Sequence, residues 1–436
     1  MKVLFVEPHA DGLLDIAMRA RANGHQALYF MKEYDQHKAP VGRGLVERVP
    51  DWRSAARDVD LVVLGAGDYC MNEFTALHRS GKPVVGGTVE SARWEGDRIH
   101  GMSIFKKAGI PIPPVREFTD YAAAIEYVRQ QDRPFASKPC WDGADKSLSY
   151  VGKTPEDLIY MLDRWRRKWG RPKGPFVLQE KVEGVEVGVA AWFGKDGFAG
   201  GWEENFEEKK LCAGSLGPAT GEMGTTIRYV SSSRLADKLL KPLEEMLHRL
   251  DYIGNVSVNS IVDDDGTPWP LEFTMRCGWP STNIEMELFA TDPIEFWHDL
   301  ATGRVSRGHH HLNLPAVGVV LAIPDFPYSH MTSKETVGIP MYGAEKLMAH
   351  LHPAQMMWQN VDARSVTSAG LATAGDYVAI MTGTGETVRQ ASGAAYRRLK
   401  QIELPSSPFW RIDIGERLRK DLPRLQEHGY ALGMEF

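Results

Sequence analysis

The sequence predicts a multidomain protein of mixed α/β and α+β class, with an open parallel sheet at its amino-terminal end and a small β-rich domain at its carboxy-terminal end. Three observations predict it. The first hundred residues alternate apolar strands with helices. A second α/β region and then a strand-rich one follow the punctuated stretch Gly109–Pro114. The chain, 436 residues with 43% hydrophobic and 25% charged positions, is too long for one simple core. The expected units are residues 1–103, 104–303 (with 115–181 as a subdomain) and 312–436.

Lys2 to Val6 reads as a buried strand, Leu13 to Ala22 as a helix capped near Gly24, and Leu28 to Met31 as a second strand. Asp60 to Gly65 and Lys82 to Gly86 read as parallel strands with a helix through Leu77 between them. Such sheets bind ligands beyond the carboxyl ends of their strands. Here those ends carry Glu7, His9, Asp11 and Asp68, the candidate substrate contacts of this unit. No G-x-G-x-x-G follows the first strand, which argues against a dinucleotide site. Residues 91 to 109 read as helical, and 304 to 314, with His309 to His311, as a linker. From Ala316 the chain alternates short strands and turns, then closes with a helix at Gly393 to Lys400.

Four segments carry chemistry. Lys138 and Lys146 flank a polar turn between two expected strands, Phe135–Pro139 and Ser147–Val151. Two ammonium groups on one site suit a polyphosphate, against the plain reading of two solvated lysines. Phe176 to Glu186 is an apolar strand, a short hinge and a second strand; Glu186 could accept from ribose hydroxyls or be a simple edge-strand acid. Ala213 to Gly224 is a glycine-rich stretch read as a long binding loop. Val256 to Met275 reads as a hairpin turning at Asp263–Gly266, which puts Glu272 and Thr274 on one face and Asn259 alongside. Hard oxygen donors of this kind suit magnesium, and Arg276 could grip a phosphate or carboxylate in a fork.

The order of these segments resembles an ATP-grasp domain and, more narrowly, the phosphoribosylglycinamide synthetase family. Gly217–Gly224 is similar to that family's GPNTGGMG loop, Glu272–Gly278 to its EFNxRFGDPE segment, and Phe409–Arg417 to its YRxDIGxRA ending. The resemblance runs from about Asp60 to Arg417. It implies an ATP-grasp fold in which 115–181 forms a lid. It also implies an ATP-dependent carboxylate–amine ligase, working through an acyl phosphate with ATP and Mg²⁺ or Mn²⁺, as a monomer or homodimer. Lys138 and Lys146 would then bind phosphates. Gln179, Glu180 and Val182 would border adenine, with Glu186 on ribose. Glu272 would hold metal with Asn259 and Thr274. Gly217, Pro218, Thr220, Gly221 and Arg276 would meet substrate. Arg276 and Lys146 are the expected catalytic pair.

The departures bear on substrate. Thr274 replaces the family's metal-binding asparagine; other ATP-grasp enzymes carry an acidic ligand at the position of Asn259. Glu7–Gly12 and Gly65–Asp68 replace the GGREHAL and GPE segments that hold phosphoribosylamine, and Ala219 and Glu222 alter the glycine loop. These changes point to another amine, a modified nucleotide or an amino compound. A catalytically inactive ATP-binding protein and a genuine phosphoribosylamine–glycine ligase remain the alternatives.

Charge and composition exclude other classes. A net charge of −6 and a pI near 6.2 argue against nucleic-acid binding. Cys70, Cys140, Cys212 and Cys277 form no CxxC pair, which points away from structural zinc and disulfides and towards a cytoplasmic protein. No apolar run approaches the ~20 residues that span a bilayer.

Overall fold

The computed structural model describes residues 1–8, 12–32, 40–140, 149–305, 310–328, 334–360 and 369–436. At the amino-terminal end, β1 (Lys2–Glu7), β2 (Gln26–Met31), β3 (Glu47–Arg48), β4 (Leu61–Leu64) and β5 (Val84–Val85) form a parallel sheet in the order β3-β2-β1-β4-β5. The continuous apolar runs in β1 and β4 are buried because helices cover both faces. Helix α1 (Leu13–Ala22) returns the chain from β1 to β2. The helical stretch expected at 91 to 109 is two helices, Val89–Gly96 and Arg98–Lys107. The chain breaks at Asp97, whose carboxylate accepts from His100 N and caps the second helix.

Four strands then form a separate antiparallel sheet, in the order β6-β9-β7-β8: β6 (Val115–Phe118), β7 (Phe135–Pro139), β8 (Tyr150–Val151) and β9 (Phe176–Glu180). Helices Tyr121–Gln131 and Pro155–Trp169 cover it and share with it an apolar core of their own, built on Phe118, Leu158, Leu162 and Phe176. The strand expected at Ser147–Val151 is confined to Tyr150–Val151 within the described residues.

The central element, among the described residues, is an eight-stranded sheet in the order β16-β15-β10-β11-β14-β17-β22-β19. It begins with β10 (Val185–Gly194) and β11 (Gly197–Glu207). The small hairpin β12 (Lys210–Cys212) and β13 (Leu216–Ala219) interrupts the path to β14 (Gly224–Val230). The glycine-rich stretch is therefore not the structureless loop expected: its first half pairs with the strand before it. The hairpin β15 (Gly254–Val262) and β16 (Pro268–Thr274) closes one edge, and Gly266, at φ +74°, makes its turn.

Strand β17 (Ala316–Ala322) pairs with β14, so the carboxy-terminal third continues the same sheet. The strands β18 (Val337–Pro340), β20 (Met356–Gln359) and β21 (Gly370–Ala374) form a small separate sheet, while β19 (Leu351–Pro353) and β22 (Tyr377–Thr384) join the large one. The expected closing helix spans Val388–Leu399, beginning earlier because Thr387 caps it, and a further helix, Leu418–Glu427, follows. The linker reading also fails at His311. That residue bridges Phe289 and is buried, with Nε2 2.7 Å from Glu285 Oε1 and Nδ1 3.0 Å from Gly200 O. Among the described residues no helix is long and apolar enough to cross a membrane.

Candidate active site

A cleft of about 940 Å³ opens between the carboxyl ends of β1 and β4, the helices Val89–Gly96 and Arg98–Lys107, and the end of β16. Glu7, Asp68, Glu95, Arg98, Pro139 and Glu272 mark its extent, and Thr274, Arg276 and Trp279 also line it. It thus spans the amino-terminal sheet, the small antiparallel sheet and the central one.

One wall is a cluster of charges. Strand register sets Asn259 of β15 opposite Glu272 of β16. Lys209, just past β11, reaches Glu186 at 2.9 Å, Glu207 at 3.1 Å and Glu272 at 3.7 Å. Arg98 donates from Nη2 to Glu272 at 2.9 Å and from Nη1 to Leu271 O at 3.1 Å. Asn259 Nδ2 donates to Glu207 at 3.1 Å. Burial opposes the charge on Lys209, but Glu207, Glu186 and Glu272 hold its pKa well above the lysine range. Burial likewise opposes ionisation of Glu272, yet Lys209, Arg98 and Lys138 hold its carboxyl well below the usual range. Lys138, in β7, is the exception. Burial first, then Arg98, lower its pKa to about 7, with Glu272 and Glu186 only partly offsetting them.

Of the other expected residues, Gln179 is buried in β9 and its Nε2 finds no acceptor among the described residues. The Glu180 side chain is taken by Arg133 at 2.8 Å, and Val182 follows in the connection to β10. Gly217 and Pro218 lie on the outer hairpin and do not line the cleft. Thr220 and Gly221 turn back: Thr220 donates twice to Lys209 O, and a Cβ on Gly221 would meet the Trp279 ring at 2.8 Å. Arg276 donates from Nε to Glu95 at 3.0 Å. Glu7 is fully buried and its carboxylate accepts from Gly12 N (3.3 Å) and Leu13 N (3.0 Å), at the amino end of α1. His9, Asp11 and Lys146 lie outside the described residues.

Sequence reasoning missed Lys209, Glu207, Arg98 and Glu95. Glu207 and Lys209 had a signal, because Glu203, Asn205 and Glu207 place polar groups on one face of an otherwise central strand. Arg98 and Glu95 had none, since each meets its partner across the molecule.

The donors near Glu272 are hard oxygens: its carboxylate, the Asn259 amide oxygen and the Thr274 hydroxyl. Such a set fits magnesium completed by water and phosphate. Arg98 supports the same reading, since its Nε is buried without an acceptor beside Glu272. An open antiparallel sheet meeting a separate four-stranded one across a cleft lined by charged residues is the arrangement of an ATP-grasp ligase, an enzyme that joins carbon to nitrogen. Residues 96–282 match the family described as phosphoribosylglycinamide synthetase, ATP-grasp (A) domain. Over that domain the chain is similar to the family. It is 25% identical over 348 residues to a phosphoribosylamine–glycine ligase of Ralstonia nicotianae, covering 77% of this chain and 79% of the relative. The solved phosphoribosylamine–glycine ligase of Thermotoga maritima shares the fold, with a TM-score of 0.72 at 20% identity over 95% of this chain and all of that one. The biotin carboxylase domain of Hydrogenobacter thermophilus 2-oxoglutarate carboxylase, solved with MgADP and bicarbonate, matches with a TM-score of 0.61 at 13% identity, covering 93% and 90%.

Proposed function

We propose that this ligase uses ATP to activate a carboxylic acid and joins it to an amine other than phosphoribosylamine. The observation that carries the altered substrate is Glu7. A helix amino terminus is a ready anion site, and here the protein's own buried carboxylate fills it at the end of the cleft where the amine would enter. A phosphate at that place would compete with this carboxyl for the same two backbone N–H groups. The amine is an amino compound, or a modified nucleotide whose phosphate lies elsewhere.

In this reading ATP lies along the wall formed by Lys138, Lys209 and Arg98, which neutralise its phosphates. Adenine sits at the hinge from Gln179 to Val182, where the Gln179 amide finds its acceptor, with Glu186 near ribose. Glu272, Asn259 and Thr274 would hold magnesium, which would supply charge neutralisation for the phosphates. The acid's carboxylate attacks the γ-phosphate, and the amine then displaces phosphate from the acyl phosphate. Positioning and charge neutralisation carry such transfers. Residues 115–181 act as the lid over the nucleotide.

The test is ADP release with magnesium and ATP, screened over amino acids crossed with amines and nucleotides, glycine with phosphoribosylamine included. Release that needs one acid and one amine supports the reading and names both. Release with glycine and phosphoribosylamine alone would restore the activity for which the sequence relatives are named. ATP binding with silence across the panel would favour a nucleotide-binding protein without catalysis.

A further inference from the structure

Residues 164–173 hold six cations and no acid: Arg164, Arg166, Arg167, Lys168, Arg171 and Lys173. A chain of net charge −6 thus places six positive charges in ten residues, and the rest of it is twice as acidic as the whole. All six are exposed. Helix geometry explains part of the run. Leu158, Leu162 and Trp165 turn one face of the helix Pro155–Trp169 into the core of the small antiparallel unit. Arg166, Arg167 and Lys168 then fall in the last turn, where cations oppose the helix dipole. Arg166 and Arg167 also pair with Asp163, at 2.7 and 3.1 Å. Neither reason covers Arg171 and Lys173, which lie beyond the helix and form no ion pair among the described residues.

The path of the chain carries this end of the unit to the cleft. Phe176, three residues after Lys173, opens β9, and its register partner on β7 is Pro139. Cys140 N donates to Pro175 O at 3.0 Å. Pro139 lines the cleft, and Lys138, on the wall assigned to phosphate, precedes it. Three residues span at most about 10 Å and paired strands lie about 5 Å apart, so Lys173 stands within about 15 Å of Pro139. The screening length is about 30 Å at 0.01 M ionic strength and about 3 Å at 1 M. The field of the run therefore reaches the cleft edge in dilute buffer and is lost in concentrated salt.

We propose that residues 164–173 form an electrostatic collector for the nucleotide, an exposed cationic patch that draws the polyphosphate of MgATP to the phosphate end of the cleft. The proposal rests on the nucleotide-binding reading above. An otherwise acidic surface repels a polyanion, and a local positive field offsets that repulsion and raises the ligand concentration at the entrance. Such a field needs charge, not the shape of any one side chain, and salt screens it. A nucleic acid suits the patch less well, because Lys168 lies over the Trp169 ring at 4.8 Å and takes up a face on which a base would stack.

The test is isothermal titration calorimetry of the full chain with MgATP at 0.01 M and 1 M ionic strength. Arg171→Glu with Lys173→Glu reverses two exposed charges outside any helix or strand. It should raise Kd about tenfold or more in dilute buffer and leave it within about twofold of the unmodified protein at 1 M. Arg171→Lys with Lys173→Arg keeps the charge and changes the shape, and should bind as the unmodified protein does at both. Arg164→Gln with Lys168→Gln removes charge from the helix instead and should also weaken binding in dilute buffer alone. A loss that persists at 1 M, or one that the charge-conserving variant shares, would mean direct contact and overturn the proposal. So would an affinity that charge reversal leaves unchanged in dilute buffer. Those outcomes leave the nucleotide reading standing. No binding of MgATP by the unmodified protein at either ionic strength would remove that reading, and the collector with it.

Discussion

ATP binding should be accompanied by proton uptake, and Lys138 should be its source. Without nucleotide, burial and Arg98 hold this lysine at a pKa of about 7, so at pH 8 about nine-tenths of it is neutral. A polyphosphate laid against it favours the ammonium form strongly. Were the bound form fully charged, uptake would approach about 0.9 proton per ATP at pH 8, about 0.5 at pH 7 and about 0.1 at pH 6. Lys138 is partly exposed and its neighbour Pro139 lines the cleft, so solvent screens part of the field and lowers the uptake. The expected uptake at that pH is therefore up to about 0.9 proton. Lys209 contributes nothing, because three carboxylates keep it charged throughout. The assay is isothermal titration calorimetry at pH 8 in buffers of different ionisation enthalpy, whose slope is the proton count. Lys138→Met should abolish the slope and flatten the dependence of ATP affinity on pH. A zero slope in the unmodified protein at pH 8 would refute the placement of Lys138 against phosphate.

Three further outcomes follow from the geometry. Glu272→Gln should weaken magnesium activation of ADP release by about 10²-fold or more, measured as the metal concentration for half-maximal rate; unchanged activation would move the metal elsewhere. Gly221→Ala puts a Cβ 2.8 Å from the Trp279 ring, so strain of about 1–3 kcal/mol should lower Tm and change tryptophan fluorescence, and an unaltered spectrum would mean the stretch moves freely. At the joint between α1 and the central sheet, buried His352 lies 2.7 Å from Asp15 and 3.2 Å from Glu287. Burial opposes its charge, but Asp15 raises its pKa; its contribution is complete below the unfolded histidine range and lost as pH rises through the raised value. Glu287 runs the other way. Burial opposes its ionisation, but His352 and His350 lower its pKa to about 2, so its contribution is present above the unfolded carboxylate range and lost as pH falls towards 2. Tm should therefore peak between those limits, and His352→Gln should flatten the alkaline side, as thermal melts across pH would show.

Local pattern carried much of the fold and some of the site. The apolar runs of β1 and β4 and the Asp-Gly turn needed only neighbours in sequence, and the turn then set Asn259 opposite Glu272. What local pattern could not carry was convergence. Arg98 meets Glu272 and Glu95 meets Arg276 only after separate elements have packed together, and Lys209 meets Glu186 only after β11 has paired with β10. The glycine-rich stretch was misread for the same kind of reason: glycines predict freedom of the chain, while pairing of β13 with β12 depends on the strand before it. His311 was read as linker because a run of histidines is polar, yet its ring stacks on Tyr229 at 3.7 Å, and its two nitrogens lie 2.7 Å from Glu285 Oε1 and 3.0 Å from Gly200 O. A buried polar group is tolerated once each of its donors is satisfied.

The segment Phe409–Arg417 shows why a motif can resemble a family's without touching the cleft. Arg411 is buried, pairs with Glu208 at 2.7 Å and Asp413 at 2.6 Å, and donates to Lys210 O at 3.0 Å. Asp413 accepts from Gly214 N at 2.8 Å, and Arg417 donates to Glu186 O at 3.0 Å while lying 3.3 Å from Glu208. These bonds fix the backbone on both sides of Lys209 and beneath Glu186. A lysine that must sit within 4 Å of three carboxylates cannot be carried on a loose connection, because ordering it would cost conformational entropy at each binding event. The carboxy-terminal segment removes that cost in advance by clamping the strand ends before nucleotide arrives. The buried Glu208 itself requires the clamp: burial raises its pKa, and Arg417 and Arg411 act against that rise. Without them a buried carboxylate would be left without its cations directly beside Lys209, and the cluster that neutralises phosphate would lose its geometry before it lost its charge.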